Sequence, residues 1–239
     1  AGRWQLALAA LGVWMPSRQI AANEVSCSAG ISSCEKASAW QAAVQLLRRM
    51  PQMRLVPNEI SWSSAISACE KLGFWQLALS LLREMPGQSA TPNEVTYNAV
   101  ISACEKKGQW QPAMSLLAEM SSERLSPTSI SCSAAVSACG KGGQWQLALR
   151  VLSDMPRRKL RPNEISYNAA ILACSDASSW AVTLSLLGEM PQKKLTPNEV
   201  AYSASIASCA SVGRFQGVLS LLGRMQEARC AELHYQQQQ

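Results

Sequence analysis

Apolar side chains recur along this chain in short stripes with helical spacing. In the segment 94–128, a first stripe occupies positions i, i+3, i+4 and i+7, and a second stripe follows Gly108. Asn93 precedes the first stripe and is a favoured N-cap, whereas glycine readily adopts the left-handed conformation that ends many helices. The segment therefore predicts two helices joined by a tight turn. The stripes consist of Tyr97, Val100, Ile101 and Cys104, then Trp110, Ala113, Met114, Leu117 and Met120.

The same pattern returns with a constant step of 35 residues. Its clearest marker is the tripeptide Asn-Glu-Val or Asn-Glu-Ile, replaced by Thr-Ser-Ile in one place. A period that holds without drift indicates a stack of similar units, each of which buries its apolar face against its neighbours. We therefore predict an all-α fold built from helical hairpins. The marker tripeptides begin at Asn23, Asn58, Asn93, Thr128, Asn163 and Asn198.

The period divides the chain into one partial unit, six full units and a tail. The partial unit, residues 1–23, holds a second helix and a linker, with an insertion near residues 12–14. It begins in mid-unit at Ala1 without an initiator methionine, so we expect a piece of a longer protein. We expect the last full unit to end atypically and the Gln-rich tail, 234–239, to be disordered. The full units are 24–58, 59–93, 94–128, 129–163, 164–198 and 199–233.

Large apolar residues and prolines keep the same register. An aromatic residue opens the second helix and a methionine closes it, which predicts a packed interface between units rather than a binding site. A proline follows this methionine in several units, and we expect the helix to end before it because proline disrupts helix interiors. The residues are Trp40, Trp75, Trp110, Trp145, Trp180 and Phe215; Met50, Met85, Met120, Met155, Met190 and Met225; and Pro16, Pro51, Pro86, Pro156 and Pro191.

Most of the nine cysteines also follow the repeat. Equivalent residues on packed helices lie roughly 8–10 Å apart, and residues seven apart on one helix lie about 10 Å apart, whereas a disulfide needs Cα atoms within about 7 Å. No Cys-x-x-Cys is present. We therefore predict small buried side chains in a reducing compartment. The repeated cysteines are Cys34, Cys69, Cys104, Cys139, Cys174 and Cys209, with Cys27 and Cys132 seven residues before two of them.

Composition narrows the classes of function. No apolar run reaches the roughly 18 residues of a membrane span, and the formal net charge of +6 favours anionic partners. The sequence contains neither a P-loop nor Gly-x-Ser-x-Gly, and its one histidine, His234, does not start the His-x-Glu of a zinc deaminase. We therefore expect no enzymatic activity, cofactor, metal ion, small-molecule substrate or membrane partner.

The string Val-Thr-Tyr-Asn-Ala-Val-Ile-Ser-Ala-Cys-Glu-Lys-Lys-Gly at residues 95–108 closely resembles the pentatricopeptide repeat family, in its P-type form of 35 residues. Residues 165–174, Ile-Ser-Tyr-Asn-Ala-Ala-Ile-Leu-Ala-Cys, repeat the match, and the resemblance extends from residue 1 to about residue 233. The tetratricopeptide repeat has a step of about 34 residues and a different tryptophan spacing. The resemblance implies a right-handed α-solenoid superhelix whose first helices bind single-stranded RNA, one base per unit.

By this resemblance, two polar residues of each unit contact one base. N-capping explains the second of them equally well without RNA. The family's pairing implies a core 5′-A-A-Y-A-Y-3′ that runs parallel to the chain; the pair Ser203 and Leu233 departs from the pattern. The base-reading candidates are the fifth residues Ser28, Ser63, Asn98, Ser133, Asn168 and Ser203, and the last residues Asn58, Asn93, Thr128, Asn163 and Asn198.

Two further sets of residues, an aliphatic row and a lysine row, repeat at the 35-residue step and match positions with a role in RNA binding in the family. The aliphatic row matches family residues that sandwich bases, although aliphatic residues near a helix start could equally be core. The lysine row matches residues near the phosphate backbone, although a cation at a helix C-terminus is favourable by roughly 0.3–1 kcal/mol without RNA. The aliphatic residues are Val25, Ile60, Val95, Ile130, Ile165 and Val200, and the lysines are Lys36, Lys71, Lys106 and Lys141.

Two functions remain open from the sequence. The first is sequence-selective binding of single-stranded RNA in organellar RNA processing, stabilisation, editing or translation, together with recruited RNA-processing proteins. The resemblance alone implies the mitochondrion or plastid, since no targeting segment is visible. The second is a protein-interaction scaffold whose concave groove holds a peptide.

Overall fold

The structure is a computed structural model that describes residues 3–11, 22–88, 90–177 and 179–236. Within these ranges the chain forms α-helices and short 3-10 turns, with no β-strand. The 3-10 turns are Pro51–Met53, Pro86–Gln88 and Pro156–Arg158. The helices are α1 Arg3–Ala9, α2 Glu24–Lys36, α3 Trp40–Arg49, α4 Glu59–Glu70, α5 Trp75–Glu84, α6 Glu94–Lys106, α7 Trp110–Ser122, α8 Ser129–Lys141, α9 Trp145–Asp154, α10 Glu164–Asp176, α11 Trp180–Gln192, α12 Glu199–Ser211 and α13 Phe215–Gln236.

The helices pair into stacked hairpins, which confirms the predicted all-α solenoid. The chain forms two compact units, Ala1–Ser131 and Cys132–Gln239. In the first unit the first helices α2, α4 and α6 lie side by side, and α3, α5 and α7 pack against them. In the second unit α10 lies against α12, while α11 and α13 pack on these two helices. Each hairpin therefore buries its apolar face against its neighbours in sequence.

Asparagine caps start the first helices as predicted. The Oδ1 atom of Asn93 accepts a hydrogen bond from the N–H of Thr96 at 3.1 Å, and the Thr96 hydroxyl lies 2.9 Å from the N–H of Asn93. Thr128 performs the same task with its hydroxyl, which accepts from the N–H of Ser131 at 3.2 Å. These bonds satisfy backbone donors that the helix itself leaves unpaired. The other asparagine caps are Asn23, Asn58, Asn163 and Asn198.

The turn within each hairpin uses a left-handed residue, and the predicted glycine position is confirmed. Gly108 has φ 62°, and equivalent glycines in the other hairpins have the same sign of φ. Ser38 occupies this position in the first full hairpin with φ 58°. A non-glycine residue tolerates this region poorly, so glycine is the unstrained choice here. The equivalent glycines are Gly73, Gly143 and Gly213.

Methionine and cysteine side chains fill the interior of the stack. The repeated methionines up to Met190 are fully buried, which confirms the core prediction for them. The described cysteines are buried and unbridged, in agreement with the sequence, and burial raises the pKa of four thiols to about 11. These thiols therefore remain neutral at physiological pH. The four are Cys69, Cys104, Cys139 and Cys174.

Four expectations differ from the structure. The repeated tryptophans are half-buried rather than core, because each is the first residue of a second helix, and Phe215 is 71% exposed. Met225, which was expected in the core, is half-buried. The helix α11 includes Pro191, since a proline in the last turn disrupts little of the helix. The helix α13 continues to Gln236, where disorder was expected from His234, because neither proline nor glycine interrupts residues 224–236. The predicted insertion near residues 12–14 lies outside the described residues.

Candidate nucleic-acid interface

The aliphatic row is exposed, which decides between the two alternatives left by the sequence. Each residue is the second of its first helix, one position beyond the first helical residue. Side chains of this size are usually buried, so repeated exposure at one structural position is unlike ordinary surface scatter. The row is therefore a surface feature and not part of the core. The exposed fractions are Val25 73%, Ile60 61%, Val95 59%, Ile130 62%, Ile165 66% and Val200 45%.

The polar row lies three residues after the aliphatic row and is less accessible. Ser63, Asn98 and Asn168 are half-buried, and Ser203 is exposed. Ser28 and Ser133 are only 6% and 5% exposed. These two serines are therefore nearly enclosed, although Ser63 and Ser203 at equivalent positions are more accessible. Any ligand of Ser28 or Ser133 has to reach down between neighbouring first helices.

In three units the structure brings the two predicted base-reading residues together, whereas the hydroxyl of Ser63 donates to the carbonyl oxygen of Ile60. The Nδ2 atom of Asn98 donates to the hydroxyl of Thr128 at 3.2 Å. In the same way the hydroxyl of Ser28 donates to Oδ1 of Asn58 at 3.2 Å, and that of Ser133 donates to Oδ1 of Asn163 at 3.3 Å. The fifth residue of one first helix thus faces the N-cap of the next first helix. Stacking of hairpins places residues 30 apart in sequence side by side.

Capping and base contact are compatible in the same asparagine. Oδ1 of Asn163 accepts from the N–H of Ser166 at 2.9 Å and also from the hydroxyl of Ser133. A carboxamide oxygen has two lone pairs, and its NH₂ group adds two donors. The cap therefore consumes only part of the hydrogen-bonding capacity of this side chain.

Asn168 differs from the other members of the polar row. Its Oδ1 atom is buried and has no hydrogen-bond partner in the described part of the chain. An unsatisfied buried acceptor costs about 1–3 kcal/mol, so such atoms are uncommon and often belong to a binding site. Its predicted partner, Asn198, caps α12 through the N–H of Ala201 at 3.1 Å.

The lysine row is exposed and partly paired. Nζ of Lys106 lies 3.4 Å from Oε1 of Glu70, and Nζ of Lys71 lies 3.9 Å from Oε1 of Glu35, in each case on the preceding first helix. Lys71 also donates to the carbonyl oxygen of Glu35. Exposed ion pairs of this kind contribute little, at about 0–1 kcal/mol, and exchange partners readily. The row can therefore offer positive charge to a ligand only in competition with these glutamates.

Tyrosine–glutamate pairs on the opposite side of the first helices were not predicted. The hydroxyl of Tyr97 donates to Oε1 of Glu119 at 2.8 Å, and Arg83 donates to the same carboxylate. The hydrogen bond from Arg83 lowers the pKa of Glu119. Burial raises the pKa of Tyr167, whose hydroxyl donates to Glu189 at 3.3 Å, to about 12. The constant spacing of 22 residues between the partners was the sequence signal for these pairs.

The tyrosine and the polar residue that follows it lie on different sides of the same first helix. Tyr97 contacts the second helix of its own hairpin, whereas the next residue, Asn98, contacts the N-cap of the following first helix. The polar row is thus directed away from the second helices.

Among the described residues no three histidine, cysteine or acidic side chains are grouped to hold a metal ion. No described helix combines the length and apolarity that a membrane span requires.

Family profiles match most of these hairpins. The PPR repeat family matches residues 57–106 and 92–141, the pentatricopeptide repeat domain matches residues 136–177, and a further PPR repeat matches residues 200–230. The chain belongs to the pentatricopeptide repeat family. No curated protein sequence matches this pentatricopeptide repeat chain.

Solved pentatricopeptide repeat structures share the fold. The chain is similar to PPR10 from maize, with 25% identity and a TM-score of 0.68 over 95% of this chain and 32% of that chain. For PPR10 in complex with an 18-nt psaJ RNA element, the identity is 24% and the TM-score is 0.71 over 95% of this chain and 36% of that chain. The chain thus spans about a third of the length of PPR10.

A second similar structure is the PPR domain of Arabidopsis thaliana protein-only RNase P 1 in complex with tRNA. The identity is 14% and the TM-score is 0.63, over 75% of this chain and 98% of that domain. At this identity the similarity establishes the fold alone.

Proposed function

We propose that this pentatricopeptide repeat chain binds single-stranded RNA in a sequence-selective manner, one base per hairpin, with the core 5′-A-A-Y-A-Y-3′. The observation that carries the proposal is the exposed aliphatic row beside the paired polar residues. An exposed valine or isoleucine at the same place in successive first helices offers apolar contact to the faces of stacked bases. The paired side chains three residues further on offer donors and acceptors to their edges.

The pairs in the polar row support one base-reading position for each of the first five full units. Asn98–Thr128, Ser28–Asn58 and Ser133–Asn163 are already in contact, and the buried Oδ1 of Asn168 lacks a hydrogen-bond donor in the described part of the chain. PPR10 is a family member that has been crystallised with RNA. We therefore assign the second partner in the remaining pairs to Asn93 and Asn198.

The lysine row is proposed to contact phosphates. Lys71 and Lys106 would exchange Glu35 and Glu70 for phosphate oxygens, and Lys36 and Lys141 occupy the equivalent positions. If all four make such contacts, log affinity falls with log salt at a slope of roughly −0.7 × 4, or about −3, for a single strand. The organellar setting in RNA processing, stabilisation, editing or translation belongs to the same proposal and rests on the family.

A fluorescence-anisotropy titration tests the proposal. The probe is 5′-AACAC-3′ within a longer oligonucleotide, compared with a scrambled oligonucleotide and a DNA version of the same sequence. We expect tightest binding to the RNA with the intact core. Equal weak binding to all three would instead favour the scaffold that holds a peptide.

A variant at Asn98 sharpens the test. Asn98→Ser changes the side chain that faces the third base, so we expect the preferred base to change from a pyrimidine to another base at this position alone. The matched control is Ser80→Ala, an exposed site on a second helix whose hydroxyl donates to the carbonyl oxygen of Leu77 at 2.9 Å. Loss of affinity for every oligonucleotide in both variants would contradict base reading by Asn98.

A further inference from the structure

Two loops of the second unit carry a concentration of positive charge. The loop 156–162 leads from the end of α9 towards α10, and the loop 191–197, whose first two residues are the last of α11, leads towards α12. All six cationic residues of these loops are exposed. They are Arg157, Arg158, Lys159, Arg161, Lys193 and Lys194.

The two loops are neighbours in space. The hydroxyl of Thr196, in the second loop, donates to Oε1 of Glu164 at 2.9 Å. Glu164 is the first residue of α10 and follows the first loop by two residues. The six cations therefore lie on two adjacent loops, and we call this exposed group of residues the basic edge.

Acidic groups neutralise only part of the basic edge. Oδ1 of Asp154 accepts from Nη1 of Arg157 at 3.2 Å, and Glu164 is engaged with Thr196. Glu199, the first residue of α12, and Glu189, which lines one pocket with Lys193 and Pro156, are the other carboxylates next to the loops. The cations thus exceed the carboxylates, and the edge carries net positive charge.

The charge is not a requirement of the hairpin. The equivalent loop 51–57 contains one cation, Arg54, the loop 86–92 contains no charged residue, and the loop 121–127 contains Arg124 beside Glu123. All three loops connect hairpins of the same length. The additional cations of the second unit are therefore dispensable for folding and point to a ligand.

Backbone geometry and the helix dipole explain only some of the cations on the basic edge. Lys159 and Lys194 have φ 59° and 61°, in the left-handed region, and Arg54 and Arg124 occupy the same position with φ 60° and 58°. Glycine would adopt this conformation without strain. A cation near a helix C-terminus interacts favourably with the helix dipole, which accounts for one cation in each loop. It does not account for the four others on the basic edge.

We propose that the basic edge binds the phosphate backbone of the RNA strand beside the fourth and fifth bases that are read and immediately on their 3′ side. This inference rests on the proposed function, in which the strand runs parallel to the chain. The hairpin that follows the second loop has no matching base-reading pair, since Leu233 stands where the other units have a polar residue. This end of the chain thus holds RNA partly through charge, and arginine suits this task because its guanidinium binds phosphate oxygens in a bidentate manner.

The test compares two double variants that are matched in charge and in backbone change. Lys159→Gly with Lys194→Gly removes two cations from the basic edge, and Arg54→Gly with Arg124→Gly removes two from the same structural position in the first unit. Both replace a strained left-handed residue with glycine, so neither should lower the Tm. The probes are 5′-AACAC-3′ alone, the same core with six uridines on its 3′ side, and the same core with six uridines on its 5′ side.

For the wild type we expect the 3′ extension to increase affinity and to steepen the salt dependence, and the 5′ extension to do neither. The basic-edge double variant should lose about 1.4 from the magnitude of the slope, at roughly 0.7 per phosphate contact. The Arg54 and Arg124 double variant should retain the whole gain from the 3′ extension. Equal losses in both double variants, or no gain from the 3′ extension in the wild type, would overturn the proposal.

A scrambled core with the same 3′ uridines separates this proposal from base reading. If the scrambled probe binds as tightly as the intact core and still loses its 3′ gain in the basic-edge variant, base reading fails and the basic edge stands. If core selectivity persists while the slope is unchanged in the variant, the basic edge fails and base reading stands. Competition by polyglutamate as effective as that by polyuridine would show an acidic protein ligand and overturn the assignment to RNA.

Discussion

Replacing Ile165 with alanine should weaken RNA binding more than it weakens the fold. The side chain is 66% exposed, so about a third of it is buried. Complete burial of a side chain of this size contributes about 1.5–3 kcal/mol, so the truncation should lower the free energy of unfolding by about 0.5–1 kcal/mol. The exposed part is the area that a base would cover. Its loss corresponds to about 1–2 kcal/mol of binding free energy, or a roughly 5–30-fold increase in Kd.

Ile171 on the same helix provides the control, because it is fully buried and has no place in the interface. Ile171→Ala should lower the free energy of unfolding by about 2–5 kcal/mol. Urea denaturation measures the unfolding free energy of each variant, and anisotropy with the 5′-AACAC-3′ probe measures Kd. The variant that is more stable should therefore be the weaker binder.

Two results would refute this reasoning. The first is wild-type affinity of Ile165→Ala for RNA, which would remove the aliphatic row from the interface. The second is equal destabilisation by Ile165→Ala and Ile171→Ala, which would place Ile165 in the core. Val95→Ala, at 59% exposure in the first unit, should behave as Ile165→Ala does.

Three further predictions concern stability. Burial raises the pKa of four thiols from about 8.5 in the unfolded chain to about 11 in the fold. Because the unfolded chain therefore loses these protons first, the free energy of unfolding should be unaffected below pH about 8.5 and should fall as the pH rises towards 11. Urea denaturation in a reducing buffer measures this decline, which replacement of the four cysteines with alanine should reduce. Asn163→Ala should lower the free energy of unfolding by about 1 kcal/mol because it removes a helix cap. Asn163→Ser keeps the cap, so it should change this free energy by less than about 0.5 kcal/mol while it weakens binding to RNA with adenine at the fourth position. Equal stability of the two variants would contradict the capping role. Gly140→Ala would place its Cβ 2.9 Å from Cβ of Ala173 and should destabilise the fold by about 1–3 kcal/mol. Gly188→Ala, whose added Cβ would have no atom within 4 Å, should stabilise the fold by up to about 1 kcal/mol. Thermal unfolding distinguishes the two variants, and an unchanged Tm for Gly140→Ala would contradict the close approach. The four thiols are those of Cys69, Cys104, Cys139 and Cys174.

Local chemistry made the helices and their limits predictable. A cap such as Asn93 and a left-handed glycine such as Gly108 act within a few residues of their own position, so their effects follow from short segments. The period supplied the stacking of hairpins, because identical apolar stripes can be buried only against one another. In the described residues the helix starts and the stacking were correct, whereas α11 and α13 end later than expected.

Features that depend on neighbouring hairpins were harder to predict. The sequence could not show whether Ile60 and its equivalents face the core or the surface, because a residue in the first turn can lie on either side of the stripe. It also could not show that Ser28 and Ser133 are nearly enclosed while Ser63 and Ser203 are not, since the difference depends on the residues that face each serine from the next first helix. The inter-helix ion pairs of Lys71 and Lys106 were hidden for the same reason.

The sequence by itself determined the repeat unit, the helix starts, the hairpin turns and the family, because each depends on contacts within one unit or on the identity of successive units. The tertiary structure decided which side of each first helix is open, which polar residues meet across adjacent units, and where cations of separate loops gather into one edge. These properties arise between residues about 30 positions apart, and their distances are fixed only when hairpins pack at a definite spacing and angle.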